Sequence, residues 1–178
     1  MSGLPQIDPT TATGKGGALL TQVQKALGVT PKMTKVMANS PALLEGYLAL
    51  SGALNHGALP AAVRERLAIA TAEANGCGYC LSAHIYIGAN ITEIDGDELE
   101  KARTAQSADS HTAALLALWD TIVRGRGSVD DDVEAAGVTD AEIAEVVEHI
   151  ALNVLTNYFN VLSGVDNDWP VVSPRVTV

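Results

Sequence analysis

Apolar residues in this chain repeatedly recur three and four positions apart, and no segment of useful length alternates apolar with polar. The first spacing lines side chains along one stripe of a helix, whereas alternation would line them along one face of a strand. A chain written this way buries stripe against stripe, so the expected fold class is all-α. Hydrophobic residues make up 47% but aromatics only 4%, so small aliphatic side chains have to build the core, which suits closely packed helices. At 178 residues a single domain is the default.

Start and stop signals divide the chain. Residues 1–15, rich in Pro, Thr and Gly, are expected to form an extended arm of the kind that lies on a partner subunit. Residues 16–172 are expected to form the helical domain, and 173–178 a tail. Leu19, Leu20, Val23 and Leu27 share a face in a helix from about Gly16 that Gly28 ends. Pro31 opens a short helix toward Ala38, and Ser40 before Pro41 is an N-cap with proline at the first helical position. The helix it starts runs to about Asn55. Pro60 starts another, with Val63, Leu67 and Ala70 on one face, Glu65, Ile69 and Ala72 on a second, and Asn75-Gly76 as its end. Cys77 to about Tyr86 reads as a separate helix that ends near Gly88.

Further on, Thr92-x-x-Asp95 resembles a capping arrangement for an acidic helix to about Ala105, and Ser110 can cap a helix from His111 to Val123. Arg124-Gly-Arg126 reads as that helix's cationic end. Asp130-Asp131-Asp132 precede a short helix that Gly137 ends, and Thr139-x-x-Glu142 is a capping box for a last helix to about Leu162.

The charge balance excludes some functions. Eleven Lys+Arg against twenty-one Asp+Glu leave a formal charge of −10, which repels nucleic acid and anionic membranes. Residues 1–8 lack a basic and an apolar region, and no apolar window of transmembrane length occurs, so a cytoplasmic location is expected. Thr13-Gly-Lys15-Gly16 lacks the first glycine and the final hydroxyl of a phosphate loop. The Asp130 run lacks the glycine and glutamate of a calcium loop.

Chemistry concentrates in Cys77-x-x-Cys80-x-x-x-His84, which holds both cysteines of the chain. At about 100° per residue these three side chains fall within roughly 60° of one another on a helix. Two cysteines are too few for a disulfide framework, and in a reducing compartment a close pair reads as catalytic or metal-binding. Zinc would have to recruit a further ligand through the fold, from His56, His111 or His149. A staple across so short a loop would constrain the unfolded chain little. A dithiol redox pair is favoured, in which one sulfur attacks and the other resolves. His84 is one turn from Cys80 and favours it as the activated thiol, whereas the helix dipole favours Cys77. On the residues alone the attacking sulfur stays open.

The stretch from Arg64-Glu65-Arg66 through Glu73-Ala-Asn-Gly-Cys77 to Cys80 and His84 resembles the AhpD-like alkylhydroperoxidase branch of the carboxymuconolactone decarboxylase family. Glu65 stands twelve residues before Cys77 and His84 four after Cys80, as in the family pattern. Asn39-Ser-Pro-Ala-Leu-Leu-Glu45 and Asn153-Val-Leu-Thr-Asn157-Tyr-Phe-Asn160 extend the likeness, which covers most of residues 16–172. The resemblance implies Cys80 as the peroxidatic thiol, Cys77 as the resolving one, His84 as the base and Glu65 as its relay or orienting carboxylate. It also implies an oligomer that is trimeric or built from trimers. The relay histidine that some relatives carry between the cysteines is replaced by Gly78-Tyr79.

The resulting expectation is a thiol-dependent peroxidase that reduces alkyl hydroperoxides through a dithiol/disulfide cycle. It needs no cofactor and no metal, and an external dithiol regenerates it. Two other functions are weighed against it: a non-catalytic redox sensor, and a cofactor-free decarboxylase-type enzyme using His84 and Glu65. Glu73 is a supporting candidate only, because the Asn75-Gly76 break separates its helix from Cys77. His149, Asn153 and Asn157, spaced four apart, form a polar strip expected to satisfy neighbouring helices and backbone rather than substrate. His56 and His111 read as helix-end residues.

Overall fold

A computed structural model describes residues 3–129 and 137–175. Among them every regular element is a helix: α1 (Gly14–Leu27), α2 (Lys32–Met37), α3 (Pro41–Leu54), α4 (Ala61–Ala74), α5 (Gly78–Asn90), α6 (Gly96–Ala102), α7 (Ser110–Gly125) and α8 (Asp140–Ser163). The fold class is all-α. None of these helices is long and apolar enough to cross a membrane.

Local chemistry sets most boundaries. Ser40 accepts from the Leu43 N–H with Pro41 at the first position of α3. Thr139 and Glu142 form the reciprocal capping box that starts α8. The arm is tied to its own chain at two points, with the Ile7 N–H donating to the Lys35 carbonyl at 3.1 Å and Asn39 Nδ2 to the Pro5 carbonyl at 2.6 Å. Helix α1 begins at Gly14.

Three boundaries differ from expectation. Asp95 alone caps α6, and Ala102 is its last residue. Asp109, one residue ahead of Ser110, caps α7 through the Thr112 N–H at 2.8 Å. Helix α5 runs two residues past Gly88, to Asn90; a Cβ at Gly88 would sit 2.7 Å from Leu99 Cδ2, so this glycine lets α6 approach the last turn of α5. The short helix expected after Asp130 lies outside the described residues.

The two apolar faces of α4 organise the interior. Val63, Leu67 and Ala70 pack with Leu115, Leu116, Trp119 and Val146 from α7 and α8. Ile69 and Ala72 face the other way, onto Cys77, Cys80 and Leu81 of α5 and the residues around α1, α2 and α6. The Trp119 indole N–H inside the first cluster donates to Thr71 Oγ1 at 2.9 Å, satisfying a buried polar group. Helix α4 thereby fixes α5 and α8 relative to each other, and the candidate site lies between these three helices.

Candidate active site

The site begins at the joint between α4 and α5. Gly76 has φ +63, a left-handed conformation that glycine adopts at little cost, and it turns the chain so that Cys77 becomes the N-cap of α5. The Cys80 N–H points at Cys77 Sγ, 3.3 Å away. Both thiols are free and buried.

Their environments push the two sulfurs apart. Cys77 is held below the ordinary thiol range, first by the hydrogen bond from the Cys80 thiol and then by backbone N–H groups and the positive side of His84, against the cost of burial. Cys80 is pushed well above that range by burial and by sharing its proton with Cys77. Of the two, Cys77 is therefore the more acidic thiol and Cys80 the one that holds its proton more tightly. Asn160, from the far part of α8, donates through Nδ2 to Cys80 Sγ at 3.1 Å and favours the charged form of Cys80.

Glu65 on α4 and His84 on α5 meet as a pair, Oε2 to Nδ1 at 2.8 Å. Burial alone would lower the His84 pKa, but the Glu65 carboxylate outweighs it and the net shift is upward. The pair is only partly covered, with 24% of the His84 side chain and 18% of the Glu65 side chain exposed.

A cavity of about 360 Å³ joins these groups. Glu65, Cys80, His84 and Asn160 lie on its wall together with Tyr47, His149, Asn153 and Trp169, while Leu27, Val29 and Ile91 add apolar surface. Cys77 is not among the lining residues. Of the four expected site residues, the fold thus gathers three around one space and keeps the fourth behind Cys80.

Residues after α8 close the back of the site. The Tyr79 hydroxyl donates to Asp168 Oδ2 at 2.8 Å, and burial together with that carboxylate raises its pKa, so Tyr79 anchors this segment and keeps its proton. Ser82 Oγ receives the Asn167 amide and the Val172 N–H, each at 2.9 Å. Glu73 is likewise explained by architecture, since its carboxylate takes Arg103 Nε at 2.7 Å and the Arg175 N–H at 2.5 Å.

The polar strip of α8 divides between two roles. Asn157 Oδ1 accepts from Asn75 Nδ2 at 3.1 Å and braces the α4–α5 joint, whereas His149 and Asn153 line the cavity. His56 follows the end of α3, and His111 in the first turn of α7 pairs with Glu142 at 2.8 Å. Asn160, Tyr47 and Trp169 complete the site without having been singled out from the sequence. Asn160 was findable: it prolongs the His149, Asn153, Thr156 spacing along one helix face. Among the described residues no group of three or more His, Cys, Asp or Glu gathers as a metal site.

Fold and site together define an all-helical protein with a buried dithiol beside a His–Glu pair. Residues 41–121, which include Glu65, both cysteines and His84, match the carboxymuconolactone decarboxylase family model, and the fold is AhpD-like. No curated protein matches the chain significantly. Among solved structures, a peroxidase-related protein with an alkylhydroperoxidase AhpD core from Ralstonia eutropha JMP134 superposes with a TM-score of 0.81 at 21% identity, over 94% of this chain and 92% of that one. A peroxidase-related protein from Silicibacter sp. TM1040 gives 0.77 at 19% identity, over 92% and 88%. The debrominase Bmp8 gives 0.75 at 18% identity, over 92% and 90%.

Proposed function

We propose that the protein is a thiol-dependent peroxidase in which Cys80 attacks a hydroperoxide and Cys77 resolves the product. The observation that carries this reading is that Cys80 and the His84–Glu65 pair line one apolar cavity while Cys77 stands directly behind Cys80. A substrate entering the cavity meets Cys80 first.

The relative acidity of the two thiols sets the order of events. Cys80 passes its proton to the Cys77 thiolate, and Asn160 Nδ2 stabilises the Cys80 thiolate that results. That thiolate attacks one peroxide oxygen, the O–O bond breaks, and protonated His84 gives its proton to the departing alkoxide, leaving an alcohol and a Cys80 sulfenic acid. Neutral His84, held by Glu65, then takes the proton back from Cys77. The Cys77 thiolate displaces hydroxide from the sulfenic sulfur, the His84 proton converts that hydroxide to water, and a Cys77–Cys80 disulfide remains. The two electrons that reduce the peroxide come from the two sulfurs, and an external dithiol restores them by exchange.

The resemblance and the peroxidase-related neighbours support this chemistry, and the debrominase shows that the fold also hosts other reactions. An oligomer is part of the proposal: Val147, Leu155, Tyr158 and Leu162 leave apolar surface exposed along α8. Steady-state reduction of an alkyl hydroperoxide by an excess of small dithiol tests the function. Cys80→Ser is expected to abolish turnover, and wild-type turnover by Cys80→Ser would end this reading.

A further inference from the structure

Two polar groups on the cavity wall take no part in the dithiol chemistry. His149 on α8 is 5% exposed, and its Nε2 has no hydrogen-bond partner. Its neighbours on the same helix face turn inward, Asn153 Nδ2 to the His149 carbonyl at 2.9 Å and Thr156 Oγ1 to the Asn153 carbonyl at 3.0 Å. Burial, and after it the charge of Arg64, lower the His149 pKa to about 4, so near neutral pH it is an uncharged imidazole.

Arg64 is the second group. Its guanidinium donates to the Leu59 carbonyl at 3.1 Å and to Asn55 Oδ1 at 3.3 Å, and among the described residues no carboxylate lies within ion-pair distance of it. The cavity's carboxylate, Glu65, is matched by His84. The wall therefore carries one cation with no directly paired carboxylate, the nearby Glu145 being taken up by the Ala58 and Leu59 N–H groups. A cation with no directly paired carboxylate, close to an imidazole nitrogen without a partner, fits an anionic acceptor, and the planar guanidinium favours a carboxylate.

The spacing of wall residues along α8 suggests the shape of the ligand. His149 and Asn160 are eleven residues apart on α8, about 16 Å at the helical rise. Leu54, Ala68, Ile87 and Leu152 contribute apolar wall to the same cavity. We propose that Arg64 and His149 form a carboxylate-binding subsite, so that the ligand reaching Cys80 is an elongated aliphatic acid with its carboxylate at one end and its hydroperoxide at the other. The subsite rests on the reading of this cavity as the substrate site.

The test is binding, with probes that carry no peroxide. Trp169 on the cavity wall reports occupancy by fluorescence, and titration calorimetry gives an independent reading on the full chain. Dodecanoate is expected to bind about ten-fold more tightly than its methyl ester. Arg64→Gln is expected to erase that preference, and His149→Leu to weaken dodecanoate about five-fold while leaving the ester unchanged. Arg64→Lys, which keeps the charge, is expected to keep most of the preference and serves if Arg64→Gln does not fold. Equal affinity for acid and ester, or an acid preference that survives both Arg64→Gln and His149→Leu, would overturn the subsite. No step of this test needs turnover, so it can fail while the peroxidase reading stands, and stand while that reading fails.

Discussion

Asn160 Nδ2 lies 3.1 Å from Cys80 Sγ, joining the far part of α8 to the first turn of α5. This donor and Asn157 are the groups that favour a charged Cys80, against burial and the neighbouring Cys77. Replacing Asn160 by Ala removes the closer donor. In a Cys77→Ser background the Cys80 thiol pKa is then expected to rise, and its alkylation rate near neutral pH to fall about ten-fold. Iodoacetamide kinetics against pH measure both, and an unchanged profile would show that the contact does not support the thiolate.

The His84–Glu65 pair makes a signed prediction. Because Glu65 raises the His84 pKa against the effect of burial, Glu65→Gln is expected to bring it below the ordinary histidine value, as NMR titration of the ring protons would show. The folded-state pKa is raised, so the pair's stabilisation is fully present below the unfolded value near 6.5 and is lost as pH rises through the folded value. The stability difference between wild type and Glu65→Gln should therefore be largest in mild acid and shrink with increasing pH.

Leu67 is fully buried between α4, α7 and α8. Leu67→Ala is expected to destabilise the fold by about 2–5 kcal/mol, measured by denaturant unfolding, and a loss well under 1 kcal/mol would mean that this cluster does not hold α4 in place.

Tyr158 and Leu162 are 61% and 62% exposed on the apolar face of α8. If that face is covered by another copy of the chain, sedimentation at micromolar concentration should show an oligomer, and Leu162→Glu should shift it toward monomer. A wild-type monomer would contradict the proposed assembly.

What could be read from the chain alone depended on range. The Thr139–Glu142 capping box and the Ser40-Pro41 start were legible because each cap is written within four residues. The end of α5 near Gly88 was legible to within two residues, but the contact of Gly88 with Leu99 on another helix was not, because periodicity does not encode it. Ser110 and Asp109 are both good caps, and only the backbone decides between neighbours. Spacing places Cys80 and His84 one turn apart on α5, but it does not show that Cys77, as the N-cap, stays off the cavity wall. The Glu65–His84 contact spans nineteen residues and two helices, so only family resemblance suggested it. The Asn160 contact spans eighty, and the Trp169 segment is irregular chain with no period to read.

The division of labour between the sulfurs is the central claim, and trapping the first oxidation product tests it most directly. Cys77→Ser and Cys80→Ser would each receive one equivalent of alkyl hydroperoxide in the presence of a sulfenic-acid trap, followed by peptide mass spectrometry. The expected result is an adduct on Cys80 in the Cys77→Ser protein and little reaction in the Cys80→Ser protein, with wild type giving the Cys77–Cys80 disulfide. A rapid adduct on Cys77 in the Cys80→Ser protein, with Cys80 unlabelled in its counterpart, would reverse the assignment.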